Sequence, residues 1–329
     1  MSTLGPTLEA FLIQRLLAQR RASPHTIAAY RDTFCLLLGF VEHQTGKAPA
    51  TLGLEDLNPP LIGAFLDHLE RDRHNSARTR NARLAAIHSL FRFAAQRHPE
   101  HAGLIGRVLA IPPKRFQRQT VCFLTDDEVQ ALLHAPDQAG FLGRRDHALL
   151  LLAIQTGLRV SELTALTRHD IVLGTGACVH CRGKGRKQRA TPLTTTTTTV
   201  LGAWLDERGG APTDPLFPTR QGQALSRYGV TLLVAKHATA AASHCPSLAT
   251  KKVSPHVLRH TAAMRLLHAG VDTSVIALWL GHEGTETTQI YVHADLTLKE
   301  RALARTTPIT GEPGRYRPPD QLLAFLESL

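Results

Sequence analysis

Little in this chain of 329 residues would tie it to a membrane or to an oxidising compartment. Its longest apolar run, Ala148–Ile154 (ALLLLAI), is far short of the roughly 20 residues a spanning helix needs. The first residues hold no charged start followed by a continuous apolar core, so no secretory signal is expected. Cysteines number five, an odd count without framework spacing, which fits a reducing compartment. Acids are scarce as well: 27 Asp and Glu face 38 Lys and Arg, for a net charge of +11 and a pI of about 9.9. An excess of that size points to a polyanionic partner, most simply nucleic acid. The expected setting is therefore cytoplasmic, in association with the nucleoid. What is present in quantity is apolar residue, 43% of the chain, enough for ordinary globular domains, and the length has room for two of them.

The first third reads as helices. Thr7 to Arg21 carries apolar residues at helical spacing. Ser23-Pro24 has the form of an N-cap followed by proline at the first helical position, and Gly46 is a plausible stop for the helix it opens. Asn58-Pro59-Pro60 opens a third helix and Ser76 a fourth. In the fourth, Leu84, Ile87, Leu90, Phe91 and Ala94 form the buried stripe, while Arg78, Arg80 and Arg83 lie off it and are candidates for phosphate contact. Ile111 to Val121 (IPPKRFQRQTV) has paired prolines and no acid; it reads as a basic linker in which Lys114 and Arg115 can meet DNA backbone. Thr125 with Glu128 is a capping box that starts the second domain. Arg144 to Gln155 is an apolar helix broken by Gly157. Residues 170–193 read as strands, the last two flanking a hairpin tip at Gly183-Lys184-Gly185. Helices resume near Val200, and Pro255 to His268 is one of them. The homopolymer Thr194–Thr199 receives no function, and the stretch from Ala238 to Lys252 no placement. The resulting organisation is 1–110 helical and DNA-binding, 111–122 linker, 123–307 catalytic, and 308–329 a Pro/Gly-rich tether with a short apolar helix (DQLLAFLESL) expected to dock in trans.

The chemistry lies in the strings TGLRVSEL, CRGKGRKQR, SPHVLRHT and LGHEGTETTQIYVHAD. When a protein hydroxyl attacks a DNA phosphate, negative charge gathers on the non-bridging oxygens, and fixed cationic donors aimed there give the largest catalytic contribution. Arg159 and Arg259 fit that need, since guanidinium is always charged and binds two oxygens at once. Arg259 lies in the first turn of a helix opened by Ser254-Pro255, where unpaired amides also favour an anion. His256, three residues earlier on the same face, can take the nucleophile's proton or hydrogen-bond the phosphate. Tyr291 is the nucleophile, and a cationic pocket is expected to favour its phenolate. His282 can donate to the phosphate. Lys184 is the general acid for the leaving 5′ oxygen, with Lys187 the runner-up; Arg182, Arg186 and the other hairpin cations are expected to bind backbone.

Taken in order, these residues resemble the tyrosine recombinase (phage integrase) family. Its members carry an arginine in a T-G-x-R-x-x-E-L string, a lysine in a β-hairpin, an H-x-x-R pair, a histidine or tryptophan after L-G-H and a tyrosine about nine residues on, and this chain fills each position. The resemblance implies a mainly α fold with a small antiparallel β-sheet. It further implies an N-terminal SAM-like core-binding domain and a catalytic domain of the DNA breaking-rejoining fold, with Glu162 a structural partner of Arg159. The implied activity is site-specific recombination through a 3′-phosphotyrosine, metal-independent and without cofactor. The implied partners are double-stranded DNA and a synaptic tetramer with C-terminal exchange between protomers. Two rivals stand beside it: a nicking-closing enzyme of the type IB topoisomerase kind, and a non-cutting accessory DNA-binding subunit. His256 and His260 form H-x-x-x-H, but Val257 stands where a zinc protease has glutamate. Cys178 and His180 should share one strand face with Cys181 on the other, so no metal is expected. Tyr30 is read as packing, and Tyr228 and Tyr316 have no assigned role.

Overall fold

The computed structural model describes residues 4–116, 121–183 and 188–282, together with Thr288 and Tyr291. The chain divides into two compact units, Met1–Gln119 and Thr120–Leu329.

The described part of the first unit is all helical: α1 (Leu4–Ala10), a π-helical continuation (Phe11–Gln19), α2 (Pro24–Thr45), α3 (Pro59–Arg71), α4 (Ala77–Ala94) and α5 (Ala102–Leu109). Its helix starts are written locally. Ser23, Asn58 and Ser76 each accept a hydrogen bond from the backbone amide three residues on, which satisfies one of the four amides every helix start leaves open. Gly46 ends α2 in the left-handed region at φ 70°, as a C-terminal glycine should. Leu37, Phe65, Leu84, Ile87, Phe91 and Val108 meet in one core. Tyr30 packs with Phe11 and Phe34 beside a second, aromatic cluster, in agreement with the packing role expected of it. Helix α5 was not anticipated. Arg80 is a correction: expected off the buried stripe, it is only 7% exposed, with its guanidinium against Glu70 of α3 and Asn81.

The described second unit holds α6 (Asp126–His134), α7 (Phe141–Thr156), α8 (Val160–Ala165), β1 (Ile171–Val172), β2 (Cys178–Arg182), β3 (Gln188–Pro192), α9 (Thr195–Arg208), α10 (Arg227–Ala241), α11 (Pro255–His268) and α12 (Thr273–Leu280). The strands form one antiparallel sheet in the order β1-β2-β3, with Cys181 opposite Arg189. In β2 Val179 and Cys181 point inward and His180 outward, the alternation read from the sequence. Helix α7 is the axis: Leu149, Leu150 and Leu152 are buried, and it packs against both α9 and α11.

Buried polar groups fix the surrounding helices. Asp146 of α7 accepts from Arg145 and sits 2.8 Å from His237 of α10. Thr125 and Glu128 form the expected capping box, and Glu128 also accepts from Lys251 and Ser247. That last pair anchors the stretch the sequence left unplaced: the end of α10, a turn, and a 3₁₀ helix at Pro246–Thr250. Thr194 caps α9 and so starts a helix through the threonine run, and the Thr198 and Thr199 hydroxyls are satisfied by carbonyls one turn earlier.

Candidate active site

Two glycines let separate chain segments close on one point. Gly157 ends α7 at φ +65°, and a Cβ there would lie 2.5 Å from Leu280 of α12. Gly281 ends α12 at φ +64°, and a Cβ there would lie 2.8 Å from Arg189. Each position takes left-handed backbone, and a Cβ at either would force the neighbouring side chain to shift.

The last carbonyls of α12 and the glycine after it then take three arginines in succession. Arg189 donates to Trp279 O at 3.2 Å, Arg259 to Leu280 O at 2.7 Å, and Arg159 to Gly281 O at 2.8 Å. A helix C-terminus has carbonyls without partners and the negative end of the dipole, so it is a natural seat for cations. Arg259 also donates to Gly157 O at 2.6 Å, and Trp279 Nε1 to Thr156 O at 3.1 Å, which ties the end of α7 to the end of α12. Glu162 gathers the arrangement from below. It accepts two bonds from Arg189, at 2.9 and 2.8 Å, one from the Arg159 guanidinium at 2.9 Å and one from the Arg159 amide at 2.8 Å. Burial opposes its charge, but these donors, Arg189 foremost, hold its carboxyl below the usual range. Glu162 is thus the partner of Arg159 that the resemblance implied.

Tyr291 is buried, 2% exposed, among Ala263, Met264, Leu267, Ile276 and Leu280. Its hydroxyl lies 3.0 Å from His260 Nδ1. The His282 ring lies nearly parallel to the phenol, centroids 6.4 Å apart, and His282 Nδ1 is 2.8 Å from Thr288 Oγ1. One expectation is corrected here. Burial raises the Tyr291 pKa and outweighs the pull of Arg259 and Arg159, so the phenol, not the phenolate, is favoured in this state. Burial, reinforced by neighbouring cations, also pushes His260 and His282 down to about 4, and burial with Arg159 nearby brings Arg259 to about 10.

The structure therefore brings Arg159, Arg259, His282 and Tyr291 together. His256 is exposed, and with Arg159, Val160, Pro255 and Arg259 it lines a cleft of about 250 Å³ at the start of α11. A larger hollow of about 430 Å³, lined by Phe123, Met264 and His268 among others, contains none of the expected site residues. Lys184, Arg186 and Lys187 lie outside the described residues, as do the 308–329 tether and helix. Arg182, Arg78 and Arg115 are exposed; Arg83 is half-buried and donates to Thr33 Oγ1; Lys114 is paired with Glu70 at 2.5 Å. Two site residues were missed. Arg189 belongs to the hairpin cations expected to bind backbone, but its register opposite the inward Cys181 turns it inside. His260 enters the sequence pattern only as half of a metal-like pair, and among the described residues no group of side chains could hold a metal ion.

A tyrosine hydroxyl held among imidazoles and guanidiniums is suited to phosphoryl transfer through a covalent tyrosine intermediate. Comparison with known proteins agrees. Residues 122–297 match the phage integrase family model, and residues 8–98 match the N-terminal SAM-like domain of phage integrases. A Sinorhizobium fredii protein, y4rC, whose name places it among integrases and recombinases, is 56% identical over 328 residues, 100% of this chain and 99% of its own. The tyrosine recombinase XerC of Pelobacter propionicus is 35% identical over 300 residues, 90% of this chain and 93% of its own. Among solved structures, XerH recombinase bound to a palindromic difH substrate superposes with a TM-score of 0.69 at 23% identity, covering 87% of this chain and 81% of its own. The Tn1549 transposon integrase bound to transposon right end DNA gives 0.69 at 16% identity, covering 90% and 98%; both likenesses bear on the fold. The chain belongs to the phage integrase family. Its class of activity is that of a tyrosine site-specific recombinase, and these relatives do not favour the topoisomerase-like or accessory readings.

Proposed function

We propose that Tyr291 cleaves and rejoins DNA at the cleft bounded by Arg159, His256 and Arg259. The observation that carries this reading is the convergence of the phenol with two guanidiniums that are already fixed by backbone carbonyls before any substrate arrives. Donors held in place need no reorganisation when charge develops on the phosphate, which is the condition for strong transition-state stabilisation. Arg159 and Arg259 bind the non-bridging oxygens, the N-terminal amides of α11 add to the positive field, and His256 and His282 hydrogen-bond the phosphate. Tyr291 attacks phosphorus to leave a 3′-phosphotyrosine, and the 5′ oxygen takes a proton from Lys184 on the β2–β3 hairpin. A 5′ hydroxyl from the partner strand reverses the step, so the bond energy is kept and no external energy source is required.

The partner is double-stranded DNA, in the nucleoid of the cytoplasm. The described cations Arg78, Arg83, Lys114, Arg115 and Arg182, with Arg186 and Lys187 of the hairpin, supply contacts to the duplex backbone. Four protomers act together, and the segment 308–329 docks on a neighbour. The XerH and Tn1549 proteins, whose structures hold DNA, support a DNA-bound role for a chain of this fold. The deciding experiment is incubation with nicked suicide duplexes that carry candidate recombination sites. Wild-type protein should form a covalent adduct at the 3′ end and Tyr291→Phe none; an adduct that survives in Tyr291→Phe removes Tyr291 from the chemistry.

A further inference from the structure

We propose that His260, one turn deeper than His256, takes the proton of the Tyr291 hydroxyl during cleavage and returns it on rejoining, an inference that rests on the strand-transfer reading above. A general base must lie within hydrogen-bonding reach of the proton it removes. His260 Nδ1 is 3.0 Å from Tyr291 Oη, and the two rings meet edge to face with centroids 5.4 Å apart. His256 and His260 share one face of α11, their ring centroids 4.1 Å apart, but at different depths. His256 is exposed and lines the cleft with both arginines, whereas His260 is half-buried against the phenol. The division of labour follows from depth: the outer imidazole meets phosphate and the inner one serves the nucleophile.

The protonation states fit this role. The groups facing His260 are His256 and Arg259 on α11 and His282 beyond α12; with burial they keep its ring neutral, so Nδ1 can accept while Nε2 carries the hydrogen. Burial holds the proton on Tyr291 at the same time. Without DNA the pair is inert, because the imidazole is too weak a base for so weak an acid. A scissile phosphate brings negative charge into the same pocket and raises the basicity of the ring. In the step itself the Oη–H bond breaks and its proton passes to Nδ1. The freed oxygen lone pair forms the bond to phosphorus. The P–O5′ bond breaks, and its electron pair leaves on the 5′ oxygen, which the hairpin acid protonates. On rejoining, the imidazolium returns its proton to Oη.

The test uses full-length protein and single-turnover adduct formation on nicked suicide DNA between pH 4 and 8.5, a window that spans the His260 value of about 4 and the ordinary 6.5. His260→Asn keeps an acceptor near the Nδ1 position but cannot carry a proton. It should slow cleavage roughly 10²- to 10³-fold and abolish the fall in rate on the acid side. His256→Asn should slow cleavage while keeping that acid limb. A His260→Asn protein that cleaves within about threefold of wild type, with an unchanged pH profile, overturns the proposal, since the threshold lies far below the effect of a lost general base. A second arm needs no DNA and no His260 variant: in ¹⁵N-histidine spectra of wild type, His260 Nδ1 should appear as an unprotonated acceptor that shifts in Tyr291→Phe. No shift would likewise overturn it. If wild type forms no adduct on any DNA, the strand-transfer reading fails and takes the proton step with it, whereas a missing shift beside a normal adduct condemns His260 alone.

Discussion

Two carboxylates, one in each unit, gather two cations apiece and serve opposite ends. Glu70 of α3 lies 3.6 Å from Arg80 and 2.5 Å from Lys114, with 19% of its side chain open to solvent. Glu162 of α8 holds Arg159 and Arg189 at 2.9 and 2.8 Å with 3% open. At the half-open Lys114, water and salt compete for the charge, and that pairing contributes little. Glu162 itself is closed to water, so the loss of its cations would leave a buried carboxylate uncompensated and destabilise the fold. The lesson is that depth, more than the number of charges, separates a surface pairing from the frame of a reaction centre.

The largest break in that comparison should come from Glu162→Ala. It leaves Arg189 buried beneath Gly281 without its carboxylate, and removal of one partner of a buried ion pair costs about 3–5 kcal/mol. Urea unfolding reads this directly; a loss under about 1 kcal/mol would place Glu162 with the surface pairs. Glu162→Gln should recover part of the loss, because the amide oxygen still accepts a bond from the Arg159 amide.

A second contrast uses glycine. Gly46 and Gly157 both end helices at positive φ, 70° and 65°, but a Cβ on Gly46 meets nothing within 4 Å while one on Gly157 meets Leu280 and Ala262. Gly46→Ala should cost only the left-handed strain, roughly 1–2 kcal/mol. Gly157→Ala should add about 1–3 kcal/mol of overpacking and displace the carbonyl that Arg259 holds, so cleavage should fall with stability. Equal losses for the two variants would mean that the junction of α7 with α12 can relax.

Acid should weigh on the reaction centre next. His260 and His282 sit at about 4 in the folded protein against an ordinary value of 6.5, so the unfolded chain binds more protons between those values. Their contribution to stability is complete above pH 6.5 and is lost as the pH falls towards 4. Glu162, also depressed, keeps its contribution above the unfolded value of 4.5 and loses it only below that. Thermal midpoints should therefore decline from pH 6.5 downwards, and a His282→Asn variant should decline less steeply. A midpoint flat across that window in wild type would contradict the burial of both imidazoles.

How much of this could be read from the chain follows the same division between local and distant contacts. The caps at Ser23, Asn58, Thr125 and Ser254 were legible because each is decided within four residues. Arg159, Arg259, His282 and Tyr291 were legible through the strings around them. His260 was not: helical spacing places it on the face of His256, but which of the two reaches the phenol depends on a chain segment 31 residues away. Arg80 looked exposed because its helix position lies beside the stripe, yet Glu70 of a different helix draws it in. Arg189 was within reach, since hairpin register alone sets it opposite an inward-pointing cysteine. Counting cations around Tyr291 predicts a lowered pKa, but burial acts the other way and prevails.

The smallest effect on stability should come from Lys114→Ala, and it makes the comparison sharpest. Lys114 is half-open, and Glu70 keeps Arg80 when the lysine is gone. Its loss should cost at most about 1 kcal/mol, and less still in high salt. The same exposure that makes the pair weak leaves the ammonium available to a phosphate. If Lys114 meets DNA as proposed, the alanine variant should weaken binding on every sequence and lower the slope of log affinity against log salt by about one. An unchanged slope would confine Lys114 to its pairing with Glu70. A cation that does so little for the fold can release its carboxylate for DNA at small cost, which Arg189, bound twice to Glu162, cannot do.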